Sequence, residues 1–406
     1  MTKLTLLLDL DDALLNTNTD SFTPAYFQAL AKEFAPRVDA QRMFRALDSG
    51  RRVMNAHEDF SRTLKEAFDA EFYPQLNLSR AALAPVVENF YDVIFPTLAG
   101  LTSPKPEAKP FVDWAQAQGF RVAIATDPLL PHKAMLHRLR WAGFDPERFE
   151  LVTSFDHFHF TKAHSAYYAE VLGRMGWADG AVLMVGNDME RDILPAQKLG
   201  LATYHLNGEA ATSSNLEARR GTLSDLRAWL TSADLADLIP NFKSIDAVLS
   251  VLAATPAALN GLLPELDAFA WSHEPAPNDW SLTEIVCHLR DIEREVHHTQ
   301  IKLFKEQDEP FIPRPDTSVW ANQRDYLRED GVSALKEFNG ARRETLATLN
   351  GVATKEWQRK ARHAIFGPTN FLEVVGFIAD HDRMHIQQAW RVLKKISELA
   401  AGEKRR

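Results

Sequence analysis

The sequence predicts two folds in succession: an α/β fold on a parallel sheet, interrupted by a helical insertion, then an all-α four-helix bundle. Three observations carry this. In the first half, short apolar runs alternate with helical segments, and such alternation implies βαβ units and a mostly parallel sheet. Between the first and second apolar runs, about a hundred residues follow a helical pattern. From about Pro240 onward, strand signals stop and four long helical patterns remain. At roughly 150 residues per domain, the length allows two to three domains.

The strand candidates are Leu4–Leu8, Arg121–Thr126, Phe149–Thr153, Ala181–Val185 and Leu201–His205, each a leucine-rich or β-branched run closed by Asp, Gly, Ser or Asn. Lys133–Trp141 and Ala163–Met175 are helices between them. The insertion contributes Pro24–Phe34, Ala40–Leu47, Phe60–Phe68 and Ala81–Ile94. Residues 206–243 read as a closing loop, a last helix and a linker. The bundle helices are Ser244–Leu263, Ser281–Phe304, Val332–Leu349 and Asn370–Leu399, divided by proline-bearing loops at Pro275–Pro277 and Pro310–Pro315. Ser281 and Glu284 form a capping-box pattern. The expected domains are 1–235, with the insertion at about 16–105, and 241–400.

Composition narrows the partners. The chain has 406 residues, a net charge of −9, 45% hydrophobic and 25% charged residues. Nucleic acid is not expected as a partner, because phosphate binding needs concentrated Lys and Arg, and Lys404-Arg405-Arg406 reads as a solvated tail. Cys287 is the one cysteine, so no intrachain disulfide is expected, which suits a reducing cytosol. An acidic residue at Asp9 interrupts any signal-length apolar core, and no uninterrupted apolar stretch reaches the ~20 residues a bilayer span needs. The expectation is a cytoplasmic protein without membrane association; a homodimer is compatible with it.

Four features follow the strand candidates. Asp9-Leu-Asp11-Asp12-Ala13 follows the first, Thr126-Asp127 the second, Lys162 the third after a loop, and Gly186-Asn187-Asp188-Met-Glu-Arg191-Asp192 the fourth. In a parallel sheet these carboxyl ends face one crevice. Crowded carboxylates repel one another and need a cation; Mg²⁺, a hard cation, suits oxygen ligands. A carboxylate there can attack phosphorus. A second carboxyl two residues on can protonate the leaving oxygen and then activate water.

These motifs resemble the haloacid dehalogenase-like hydrolases, whose Rossmann-like core carries a helical cap after the first strand. The resemblance covers the N-terminal 230 or so residues. It implies Asp9 as nucleophile, forming an aspartyl-phosphate, and Asp11 as general acid and base. Thr126 would bind phosphoryl oxygens, and Lys162 would steady Asp9 and the phosphate. Asp9, Asp11, Asn187, Asp188 and Asp192 form the Mg²⁺ set. The second aspartate implies a phosphatase of a small phosphorylated metabolite over a true dehalogenase. The chain departs from the pattern at Ala13, where the motif has a hydroxyl, at Ala163, where a proline often stands, and at Asn187, where the first acid often stands. Asp188, one place later, offers a second register. Arg51, Arg52 and His57 are insertion residues that could meet an anionic substrate; solvated charge on a helical surface is their plainer reading.

In the last helix, Val374, Ile378, His381, His385, Gln388 and Val392 step by 4, 3, 4, 3 and 4, an inward stripe on which two histidines share one face and can share one metal. His288 flanks the stripe of the second helix. His288, His381 and His385 could hold a metal and leave a coordination position open. Trp280-Ser-Leu-Thr-Glu-Ile-Val-Cys-His288, Phe366-Gly-Pro-Thr and Ile378-Ala-Asp-His381-Asp-Arg-Met-His385 resemble the DinB-like (DinB/YfiT) four-helix metalloproteins over about residues 244–398. That resemblance implies Zn²⁺ or Ni²⁺ on the three histidines, and an alternative activity: a metal-dependent, thiol-dependent transferase or a hydrolase in the bundle, with the first domain weakened or serving to bind. His297 and His298 are adjacent and cannot both face the site. Cys287 is expected to pack, and Trp280, Phe311 and Trp320 to line the bundle or its loops.

Overall fold

The computed structural model describes residues 4–177, 179–207, 219–263, 266–277 and 279–403. The tail Lys404–Arg406 and part of the 206–243 segment lie outside the described residues. The chain forms two compact units: Met1–Tyr168 with Asp179–Pro240, and Ala169–Ala178 with Asn241–Arg406.

The first unit holds a six-stranded parallel sheet in the order Leu151–Val152, Arg121–Ile124, Leu4–Leu8, Ala181–Gly186, Ala202–Leu206, Arg219–Gly221. The last strand was not foreseen; its Arg-Arg-Gly sequence carries no β-branched or apolar signal. Every residue of Leu4–Leu8 is buried, as a central parallel strand covered on both faces requires. Leu8 pairs with Ile124 on one side and Val185 on the other. The chain therefore leaves these three strands at one level, and Asp9, Thr126 and Asn187 emerge along one edge where the strand order reverses.

The insertion leaves and returns through an antiparallel pair, Leu15–Thr17 with Thr102–Pro104. Its helices are Thr19–Phe34, Ala40–Asn55, Leu64–Leu76 and Arg80–Asn89, the last running on through a wider turn at Phe90–Ile94. Side-chain caps set the starts. Asn18 begins the first helix five residues before Pro24, and the Thr63–Glu66 capping box begins the third at Leu64 instead of Phe60. The second helix passes Leu47 and continues through Gly50, where an added Cβ would lie 2.5 Å from the Phe68 ring. Phe34, Phe72, Phe90 and Phe95 anchor a core belonging to the insertion.

The second unit contains four long helical segments: Ile245–Leu262, residues 282–306, Gly331–Asn350 and Phe371–Glu403. The second opens on the Ser281–Glu284 capping box and widens to a π-turn at Ile292–His297. Ile245–Leu262 has the length and hydropathy of a membrane span, yet 61% of it is buried, so its apolar composition serves a core helix. Strands do occur after Pro240: Gly367–Asn370, Lys360–His363 and Phe311–Ile312 form a small sheet. They span two to four residues each, and one contains Pro368, so no alternating run announces them. Arg342 binds groups on the other three long segments. Its guanidinium donates to the Leu252 carbonyl, to both carboxylate oxygens of Glu293 and to Asp382, and Arg342, Glu293 and Asp382 are all fully buried.

Candidate active site and metal centre

At the carboxyl edge of the sheet, Lys162 lies between two carboxylates. Its ammonium donates to Asp9 Oδ1 at 2.5 Å and to Asp192 Oδ1 at 2.6 Å, and all three residues are buried. Burial alone would depress the Lys162 ammonium; Asp192 and Asp9 outweigh it and hold it well above the ordinary lysine range. Burial pushes Asp9 up to about 7, with Lys162 opposing and Asp192 adding to the shift. Two acids share one base, so the pocket carries surplus negative charge.

The fourth motif folds around Asp192. Its second oxygen accepts the backbone N–H groups of Asn187 and Asp188, at 2.9 and 3.0 Å. The Asp188 carboxylate turns away and caps its own helix by accepting from Glu190 and Arg191. The Asn187 Oδ1 is buried without a hydrogen-bond partner. A buried amide oxygen left this way is costly, and an oxygen donor of this kind suits a hard cation. The donor set thus fits Mg²⁺ in the Asn187 register.

Asp11 is engaged elsewhere. Arg138, buried, forks onto both of its carboxylate oxygens and reaches Thr17 Oγ1 at 3.1 Å. An acid that protonates a leaving oxygen must release at least one of these bonds. Thr126 is buried, and its carbonyl accepts from Thr153 Oγ1 at 2.7 Å and from the Tyr167 hydroxyl at 2.8 Å. Asp127 accepts from the Lys162 backbone and pairs with Arg191, which also donates to Asn55 on the insertion. Ala13 is buried in the apolar core. The loop is braced without its hydroxyl: Asp12 takes a left-handed φ of 53° and accepts the Thr17 N–H, while Lys105 binds the Asp12 carbonyl.

Of the insertion candidates, His57 is buried with its ring on the Arg62 carbonyl, and Arg52 is exposed beside Asp48. Arg51 lines a cavity, paired with Asp48. Sequence reasoning missed Arg138, Asp127 and Arg191. Asp127 and Arg191 sit inside motif segments that the spacing already marked. Arg138 carries no such signal: it lies 127 positions from Asp11.

In the second unit the three predicted histidines meet. His381 Nε2 lies 3.3 Å from His288 Nε2 and 3.2 Å from His385 Nε2. The candidate ligand atoms all fall within 4.8 Å of one another. An ion about 2.05 Å from each nitrogen in tetrahedral geometry separates them by roughly 3.3 Å. Burial lowers all three pKa values, with His385 adding to the effect on the other two: His288 falls to about 3, His381 well below the ordinary range, and His385 also drops. Neutral imidazoles keep the lone pairs a metal needs. Gln388 accepts from His385 Nδ1 at 2.9 Å and so fixes Nε2 as the inward, unprotonated nitrogen. The Trp280 ring stacks on His385 and lies 4.8 Å from that of His288. His297, which the sequence reading set aside, is buried 5.6 Å from the His381 ring and bound to Glu293. His298 instead reaches Thr345 and the Ala341 carbonyl. Cys287 is buried in the apolar core, its thiol pushed up to about 12 by desolvation. Phe311 is 57% exposed, contrary to a lining role, and Trp320 carries the Arg324 guanidinium 3.8 Å from its ring centre.

Residues 4–200 match the haloacid dehalogenase-like hydrolase family and residues 251–389 the DinB superfamily. No curated protein matches the chain. Among solved structures, a 2-haloacid dehalogenase from Pseudomonas syringae pv. Tomato DC3000 is 21% identical with a TM-score of 0.42, over 57% of this chain and 99% of its own. A HAD phosphatase from Thermococcus onnurineus is 17% identical, TM-score 0.38, over 58% and 100%. YfiT from Bacillus subtilis, with a four-helix bundle, is 15% identical, TM-score 0.35, over 49% and 98%. The chain is thus similar to the haloacid dehalogenase-like hydrolases over residues 4–200 and to the DinB superfamily over residues 251–389, each match covering less than half of it.

Proposed function

We propose that the first unit is a Mg²⁺-dependent phosphomonoesterase. The observation that carries this reading is the buried Asp9–Lys162–Asp192 arrangement, to which Asn187 is joined by its backbone N–H on Asp192. The Asp9 carboxylate attacks phosphorus, and the bond from phosphorus to the ester oxygen breaks. Asp11, loosened from Arg138, delivers a proton to that oxygen. Asp11 then takes a proton from water, which attacks the aspartyl-phosphate, releases phosphate and restores Asp9. Lys162 holds Asp9 in place and faces the transferred group with positive charge. Asp9 and Asn187, backed by Asp192, would hold Mg²⁺, which supplies further neutralisation of that group. Hydrolysis of a generic phosphomonoester with Mg²⁺ should fall at least about 10³-fold in Asp9→Asn. Silence of the wild type across a broad phosphate panel removes the proposal.

A second reading concerns the bundle, where the close approach of three neutral imidazole nitrogens favours a bound divalent transition metal, Zn²⁺ or Ni²⁺. Such an ion acts as a Lewis acid toward water or a thiol; His288, His381 and His385 would hold it, and Trp280 would screen it from solvent. Elemental analysis of purified protein should find about one such ion per chain, lost in His381→Ala. Unchanged metal content in that variant means the ligand set is wrong.

A further inference from the structure

Within the first unit a cavity of about 1270 Å³ runs from Asp11, Asp127, Arg138 and Arg191 into the helical insertion. That exceeds the roughly 300–1,000 Å³ of most small-molecule sites. Ten of its lining residues are aromatic, among them Phe22, Tyr26, Phe27, Phe68 and Phe72. The Tyr26 and Tyr91 hydroxyls bond to each other at 2.9 Å, so neither needs a ligand. The cations on the wall are already matched. Besides Arg138 with Asp11 and Arg191 with Asp127, Arg51 pairs with Asp48, Lys65 with Asp69, and Lys133 with Asp92. A polyol or polyanion entering here would lose water and find few partners. An apolar body would find aromatic faces.

Orientation follows from Asp11. If Asp11 protonates the leaving oxygen, the alcohol half of the ester lies on its side, and Asp11 lines this cavity. We infer, resting on the phosphatase reading, that the substrate is the phosphomonoester of a large apolar alcohol, its phosphate at Asp9 and its apolar body among the aromatic side chains of the insertion. This gives a larger, apolar body to the small phosphorylated metabolite that the family resemblance implied.

The test uses the full chain with Mg²⁺. Decyl phosphate, kept below its micelle concentration, is compared with glycerol 3-phosphate, and decylphosphonate binding is measured by calorimetry as a readout free of turnover. A buried methylene contributes roughly three- to fourfold, so kcat/KM for decyl phosphate should exceed that for glycerol 3-phosphate by at least about 100-fold. Phe27→Gln, at a partly exposed wall position, should weaken decylphosphonate binding about tenfold. Turnover of glycerol 3-phosphate with no preference for the decyl ester overturns this inference and leaves the phosphatase reading standing. Absence of turnover with every phosphomonoester removes that reading and this inference with it.

Discussion

The two candidate centres bury ionisable groups by opposite means. In the first unit, charge is kept and partly offset: Lys162 answers Asp9 and Asp192. In the second, charge is removed, and three histidines are driven neutral by burial. The charged pocket is left with surplus negative charge and calls for a hard cation. The neutral one offers lone pairs and suits a borderline metal. The same desolvation that raises an acid lowers an imidazole, so the two units should respond to perturbation with different signs.

The largest effect is expected where balanced charge also stabilises the second unit. Arg342→Ala leaves Glu293 and Asp382 buried without their partner and should cost about 3–5 kcal/mol in denaturant unfolding of that unit. A loss under about 1 kcal/mol would mean the clasp is dispensable. Lys162→Met should destabilise the first unit by a comparable, somewhat smaller amount, roughly 3 kcal/mol. Here Mg²⁺ should restore part of the loss, because the acids released from Lys162 can bind it; for Arg342→Ala it should restore none.

Acidification sharpens the contrast. Histidines depressed in the folded state contribute stability that is full above about pH 6.5 and is lost as pH falls toward about 3. Asp9, raised to about 7 in the folded state, contributes in the other direction: its stabilisation is full below about pH 3.8 and is lost as pH rises through 7. Between pH 7 and 5, hydrogen exchange should therefore report a weakening second unit and a first unit unchanged or firmer. Parallel weakening of both would refute the assignment. The smallest effect is expected at Gln388→Ala, which frees the His385 ring and should lower metal affinity about tenfold, measured by chelator competition.

Much of both centres was legible because the chemistry lies at positions the fold dictates. Asp9, Thr126, Lys162 and Asp192 follow strands whose parallel order brings their ends together, and the 4–3 spacing of the last helix turns His381 and His385 inward. What escaped depends on contacts distant in sequence. Arg138 is a single residue in an ordinary helix, and nothing local marks it as the partner of Asp11. The π-turn at Ile292–His297 carries the apolar pair Ile292 and Val296, but nothing in it announces that Glu293 and His297 are buried there as well. The strands at Phe311–Ile312, Lys360–His363 and Gly367–Asn370 are too short to carry a period and exist through pairing with one another. Whether Asn187 or Asp188 belongs to the acid cluster was open from spacing alone; in the structure one oxygen of the Asp188 carboxylate accepts the backbone N–H groups of Glu190 and Arg191, a contact that spacing does not announce.

The narrow antiparallel pair Leu15–Thr17 and Thr102–Pro104 has an evolutionary consequence. Everything between its two strands is covalently tied to the sheet domain by two peptide crossings, and besides a few bonds such as Arg191 to Asn55 it carries its own aromatic interior. Such a segment can drift, lengthen or be exchanged by recombination while the sheet beneath keeps its leucines and its acids. Selection can thus remodel the insertion without rebuilding the sheet beneath it, and a protein engineer could graft a foreign insert at the same seam.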